Sequence, residues 1–306
     1  MKSKYRLSNW SEYNKALKQR GSLNIWIGAD VLENWYQPKT GRNGAPRIYS
    51  DQVFVVLQQI RSLFDLPLRQ LTGFVESLIE RMNVVLDIPD YTTISRRMEC
   101  GKQVYLYTKK NEDNEEKTII IDGSGLKVFG ESEWKVKKHG YSKRRTWKKI
   151  HISVTPDGEL QVVDVTGSDK VDADPDVIGN LLGDDTTISK VITDGGYDYR
   201  SMYQYCIDRN IILITPPRMN AVSWDTNHPR TKAFLQIKRT SLEVWKNLSG
   251  YHTRSVVENT FYRFKTIFGQ HLRSRNFENQ KAEVRIKCRM LNIMWSLGVP
   301  ESYRVS

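Results

Sequence analysis

Three short β-branched runs fix what the second half of this chain can fold into: TIIID at 118–122, TISKVITD at 187–194 and IILITPP at 211–217. Each is too short and too apolar for a surface helix and reads as a buried strand. WKKIHISV (147–154) and ELQVVDVTG (159–167), parted by the turn residues Pro156, Asp157 and Gly158, add a hairpin. Helical patterns fall at about 176–182 and over YDYRSMYQYCIDRN (197–210). The resulting order β-β-β-α-β-α-β is a mixed α/β layer.

Two of these strands end in a carboxylate followed at once by glycine: Asp122 before Gly123, and Asp194 before Gly195 and Gly196. In open α/β sheets chemistry gathers at strand ends, and glycine lets backbone or ligand come close. Singly, each Asp-Gly also reads as a tight turn. Together the two carboxylates repel unless a divalent cation lies between them. Glu258 would complete an oxygen-only set suited to Mg²⁺ or Mn²⁺. Two such ions, roughly 3.5–4 Å apart, activate a nucleophilic oxygen and stabilise the leaving one in phosphoryl transfer.

Glu258 lies in YHTRSVVENTFYRFK (251–265). Wound as a helix, this segment puts Tyr251, Arg254, Glu258 and Lys265 within a sector of roughly 60°. Val256, Val257, Thr260, Phe264, Ile267 and Phe268 form a separate apolar stripe. Alone, the polar face also fits a solvated Arg–Glu pair one turn apart, worth about 0.3–0.5 kcal/mol.

The first third reads as helical. A helix capped by Asn9 or Ser11 ends at Gly21, and a second runs from about 23 to 35. Helices at 50–64 and 67–83 precede a short basic one, YTTISRRME (91–99), capped by Thr92 or Thr93 with Arg96 and Arg97 exposed. This is the outline of a helix-turn-helix, with Thr92, Ser95, Arg96 and Arg97 as the base readers, and equally of an ordinary helical bundle. The charged stretch KKNEDNEEK (109–117) marks the boundary. Between Asp122 and the hairpin, WKVKKHGYSKRRTWKKIH (134–151) interleaves aromatics with cations, among them Lys137, Lys138, Arg144, Arg145 and Lys148. That suits a groove tracking a phosphate backbone better than a solvated strand face.

Composition agrees. With 47 Lys and Arg against 35 Asp and Glu, a formal charge of +12, the expected partner is a polyanion, double-stranded DNA above all. Three scattered cysteines indicate neither zinc nor a disulfide framework, which fits a reducing cytosol. No apolar run spans a membrane, so the expectation is a cytoplasmic, nucleoid-associated protein.

Tyr251, Arg254, Glu258 and Lys265 fit Y-x2-R-x3-E-x6-K, the signature of the bacterial insertion-sequence transposases of the DDE type, which this chain resembles. The blocks RGSLNIWI, PDYTTISRRM, DGSGLKVFGESEWKVKKHG, ITDGGYD and MLNIMWSLGVPES extend the resemblance, toward the short transposases that flank composite resistance transposons. It implies an α/β, ribonuclease-H-like catalytic core at 113–306, preceded by an all-helical domain at 1–112 that binds terminal inverted repeats. It also implies metal ligation by Asp122, Asp194 and Glu258, with two Mg²⁺ or Mn²⁺ ions, and DNA contacts from Tyr251, Arg254 and Lys265. Coupled transposition further implies a homodimer or higher assembly on element ends and target. In related transposases an insertion precedes the Glu; here the interval is short, 216–250, and holds Trp224 and Trp245. The amphipathic segment 277–298 is expected to pack on the catalytic core rather than pair subunits. The rival readings are a non-enzymatic DNA-binding regulator and a structure-selective nuclease.

Overall fold

The computed structural model describes residues 4–38, 47–104, 106, 116–128, 147–167 and 174–305. They divide into two compact units, one from 1–107 with 276–306, the other from 108–275. In chain order the elements are β1 (Lys4–Leu7), α1 (Trp10–Arg20), α2 (Leu23–Trp26), α3 (Ala29–Glu33), α4 (Asp51–Phe64), α5 (Leu68–Arg81) and α6 (Tyr91–Arg97). Next come β2 (Lys117–Val128), β3 (Trp147–Val154), β4 (Leu160–Gly167), α7 (Pro175–Leu182), β5 (Ile188–Thr193), α8 (Arg200–Asp208) and β6 (Ile212–Ile214). The rest are α9 (Pro229–Arg239), α10 (Leu242–Ser249), α11 (Ser255–Phe268), β7 (His271–Leu272), α12 (Phe277–Ser296) and β8 (Ser302–Val305).

The first unit is built on α4 and α5, antiparallel partners joined through residues 65–67, where Asp65 adopts a left-handed turn. Trp35, Phe54, Leu57, Ile60, Leu71, Val75, Ile79 and Ile94 close its core. Each such side chain contributes about 1.5–3 kcal/mol of apolar transfer. The single helix expected over 23–35 is broken in two at Ile27 and Gly28, which lets both Trp26 and Trp35 turn inward. The cap of α6 is Asp90, whose carboxylate accepts from the Thr92 amide at 2.9 Å, and not Thr92 or Thr93. The unit is also not all-helical. β1 pairs antiparallel with β8, from Lys4 opposite Val305 to Leu7 opposite Ser302.

Helix α12 belongs to this first unit, which corrects the expectation that it packs on the catalytic core. It lies on α4 and on the 3-10 turn Met98–Gln103. A Cβ at Gly101 would stand 2.6 Å from Ile286 Cδ1, so the two elements approach only through glycine. Arg285 fastens the same contact, donating from Nε to the Val104 carbonyl at 2.7 Å.

The second unit is a mixed sheet in the order β4-β3-β2-β5-β6, with β7 alongside the far end of β2. β2, β3 and β4 are antiparallel, while β5 and β6 run parallel to β2. β2 does not stop at Asp122. It continues to Val128, paired residue for residue with β3 from Ile120 opposite Val154 to Lys127 opposite Trp147. Ile119 and Ile121 point into a core with Val177, Ile178 and Leu181 of α7 and Met202 and Cys206 of α8. Strand alternation therefore turns Ile120, Asp122, Ser124 and Leu126 to the opposite face. There α11 lies, burying Val257, Phe261, Phe264 and Phe268 against β2 and β3.

The interval before Glu258 folds as α9 and α10. The His228 ring caps α9, its Nδ1 accepting from the Arg230 amide at 3.2 Å, a role open only to neutral Nδ1. Burial and the nearby Arg200 hold its pKa below the ordinary 6.5. The unfolded chain therefore binds the proton more readily. The stabilisation is complete above about pH 6.5 and is lost as pH falls through the lower folded value. Thermal stability should fall on going from pH 7.5 to 5.5, and more shallowly in His228→Asn, since Asn caps without titrating. Melting curves across that range test it. No helix among the described residues is long and apolar enough to cross a membrane.

Candidate active site

Asp122 stands in the middle of β2, facing α11. Its Oδ1 accepts from the Gly123 amide at 2.8 Å, and its Oδ2 accepts from Arg254 Nη1 at 3.0 Å. The other terminal nitrogen of Arg254 donates to Glu258, one turn further on. One guanidinium thus bridges two of the three expected carboxylates. Two residues along the same strand face, Ser124 accepts from Lys265 Nζ at 2.7 Å. The strand period of two and the helix face therefore meet as two pairs, Asp122 with Arg254 and Ser124 with Lys265.

Asp194 follows β5 directly and caps the 3-10 turn Gly195–Tyr197. The Gly196 amide donates to Asp194 Oδ1 at 2.8 Å. A Cβ on Gly196 would stand 2.8 Å from that same oxygen, so any other residue there would push the carboxylate aside. Thr215 Oγ1 donates to the Asp194 carbonyl at 2.7 Å and ties the turn to the end of β6.

The segment 251–254 is not part of the long helix. After Gly250, whose φ is 72°, Tyr251–Arg254 makes a 3-10 turn and α11 begins at Ser255. Tyr251 is only 8% exposed and packs on Trp245, ring centroids 5.5 Å apart. Arg254 lies 5.9 Å and Lys246 5.6 Å from its ring centre. Burial pushes the Tyr251 hydroxyl up; Arg254 draws it down, while Asp194, Asp122 and Glu258 add to the rise. The Arg254 guanidinium is held above its ordinary range. Its burial opposes this but is outweighed by Tyr251, Asp122, Glu258 and Asp194. All three carboxylates thus act on one Tyr–Arg pair.

Among the described residues no three carboxylate, His or Cys side chains yet form a metal-holding group. The Arg254 guanidinium lies between Asp122 and Glu258. Those two carboxylates face a common point where positive charge is already held. The set carries only oxygen donors, which suits a hard divalent cation and excludes a thiolate or imidazole site.

The remaining sequence candidates are placed as follows. Lys148 lies on β3 opposite Leu126 and is half-buried. Lys137, Lys138, Arg144 and Arg145 fall outside the described residues. Arg96 is exposed on α6, but Arg97 is not. Arg97 pairs with Asp51 and stacks over the Phe54 ring at 4.6 Å, which fixes it within the first unit. Neither tryptophan is free to stack on a base: Trp245 is buried, and Trp224 lies between Arg200 at 4.8 Å and Arg230 at 4.2 Å. The sequence reading missed Ser124, whose alternation with Asp122 on one strand was the available signal. It also missed Tyr262, one turn past Glu258 on the same helix face and 70% exposed.

Residues 113–293, more than half of the chain, match a family model described as a transposase DDE domain, and residues 18–131 match a second with the same description. The chain belongs to the DDE transposase family. Among solved structures it is similar to a piggyBac transposase synaptic complex with hairpin DNA, at 7% identity and a TM-score of 0.41, covering 96% of this chain and 77% of that one. It is also similar to the Mos1 mariner paired-end complex with Mn, at 11% identity and a TM-score of 0.22, covering 93% and 87%.

Proposed function

We propose that this transposase binds the terminal inverted repeats of its own insertion sequence, cleaves the strand at each end and transfers it into target DNA. The observation that carries the reading is the bridge from Arg254 to Asp122 and Glu258, which gathers the family's signature residues on one side of the sheet. Three antiparallel strands followed by two parallel ones, with helical crossovers, support a ribonuclease-H-like description of that sheet.

Asp122, Asp194 and Glu258 would hold Mg²⁺ or Mn²⁺, two ions in all, supplying Lewis-acid activation of the attacking and leaving oxygens when bound. Arg254 then exchanges its carboxylate partners for a DNA phosphate, which a guanidinium grips bidentately. Lys265, steered by Ser124, contributes a point charge beside it. Tyr251 acts by packing its ring beside Arg254. Lys137, Lys138, Arg144, Arg145 and Lys148 would supply further charge to the DNA backbone. Arg96 and Arg97 belong to the end-binding unit, Arg96 as a reader and Arg97 as the residue that holds the reader helix on α4. Two ends must be held at once, so the working species is a homodimer or larger on DNA, in a bacterial nucleoid.

Duplexes carrying the flanking ends, a supercoiled target and Mg²⁺ or Mn²⁺ test this directly. Joined products are expected with metal, and none after chelation, with end binding retained. End binding that persists with metal but gives neither cutting nor joining would favour the regulator reading. Cutting that ignores the repeats and never joins would favour a structure-selective nuclease.

A further inference from the structure

We propose that Arg218, Asp198 and Arg230 are positioning residues for Asp194, forming a brace that fixes the peptide holding its carboxylate; this rests on Asp194 being a catalytic carboxylate. The peptide group between Gly195 and Gly196 is held from both sides. Its N–H donates to Asp194 Oδ1 at 2.8 Å, and its carbonyl accepts from Arg218 Nε at 3.2 Å. The next carbonyl, of Gly196, accepts from Arg218 Nη2 at 3.2 Å. A cation on the carbonyl oxygen both locks the peptide plane and polarises the N–H on its far side. Arg218 thus acts on Asp194 through a single peptide.

Asp198 holds Arg218 in place. Its Oδ2 accepts from the Arg218 amide at 3.0 Å and from Arg230 Nη2 at 2.9 Å, and its Oδ1 accepts from Arg230 Nε at 2.6 Å. The two side chains are 1% and 5% exposed. Both Asp198 oxygens are committed, so this second acid of ITDGGYD is not a spare metal ligand. Arg230 reaches on to the Val222 carbonyl at 2.6 Å, and Arg218 stacks over Tyr199 at 4.1 Å. The segment 216–230 is thereby tied to the turn 194–199 from both of its ends. The insertion that the family uses before its Glu here serves the second Asp.

Arg218 is exposed, so Arg218→Ala should fold normally, with an unchanged melting temperature. Hydrogen exchange of the peptide covering 192–200 should accelerate about tenfold or more, because the Gly196 amide loses its fixed plane. Mn²⁺ affinity, read by electron paramagnetic resonance without DNA, should weaken about tenfold, with partial recovery in Arg218→Lys. Unchanged exchange would overturn the proposal. Faster exchange with unchanged Mn²⁺ affinity would also overturn it, leaving a brace with no effect on the carboxylate. Asp194→Asn serves as the control. If it binds Mn²⁺ as tightly as the wild type, Asp194 leaves the site and the proposal falls with the reading it rests on.

Discussion

Asp194→Asn should lower metal-dependent end cleavage by roughly 10⁴-fold, as removal of one member of a catalytic set does. The change is isosteric, and the amide oxygen can still accept from Gly196, so the turn should keep its shape. What is lost is a formal negative charge beside two others. Asp122→Asn and Glu258→Gln should behave alike, with one difference. Each of these neutralises a charged partner of Arg254, and the less tightly held guanidinium becomes more available to phosphate. End-DNA affinity should therefore hold or rise slightly in those two while cleavage collapses. Both partners of Arg254 are partly exposed, so the cost to folding is small. Gel-shift titration and single-turnover cleavage on the same preparations separate the two effects. Full activity in any one variant would remove that residue from the set.

Asp198→Asn should be the most destabilising single change in the second unit, at about 3–5 kcal/mol. It leaves the Arg230 guanidinium buried without the negative charge of its carboxylate partner. At a few degrees per kcal/mol for a unit of this size, the melting temperature should fall by about 10 °C. The double change Asp198→Leu with Arg230→Met should recover much of that loss, since a buried pair replaced whole by apolar groups is often neutral. Calorimetry on the three proteins decides it. A fall of under about 1 kcal/mol for Asp198→Asn would mean that water, rather than burial, governs the pair.

The pairing of Asp122 and Glu258 through one arginine is legible in part because strand runs and a spaced helix motif survive in one dimension. The alternation α/β pattern gave the strand and helix order of the second unit as the sheet has it. What failed was local reading of tertiary facts. Gly123-Ser124-Gly125 looks like a loop by propensity, yet β3 pairs straight across it, and pairing overrides composition. Arg97 looks like a surface cation until Asp51 and Phe54, far back in the chain, are brought beside it. Glu283 and Lys287, one turn apart on α12, are buried together, which charge and spacing alone do not announce. No periodicity announces that Lys4–Leu7 will pair with Ser302–Val305, because two four-residue strands carry almost no signal of their own.

That pairing has a consequence for how the molecule is made. In chain order the second unit is an insertion within the first, so residues 108–275 leave the ribosome before residues 276–306, the last part of the first unit, exist. The sheet and its carboxylates can assemble vectorially from neighbouring segments. The first unit must instead keep α4 waiting for α12, and β1 waiting for β8, across almost the entire translated length. Its folding is therefore the late, high-contact-order event. The first unit is thus completed only after the residues of the sheet are already made, and nascent chains spend their longest interval with the N-terminal helices only partly covered.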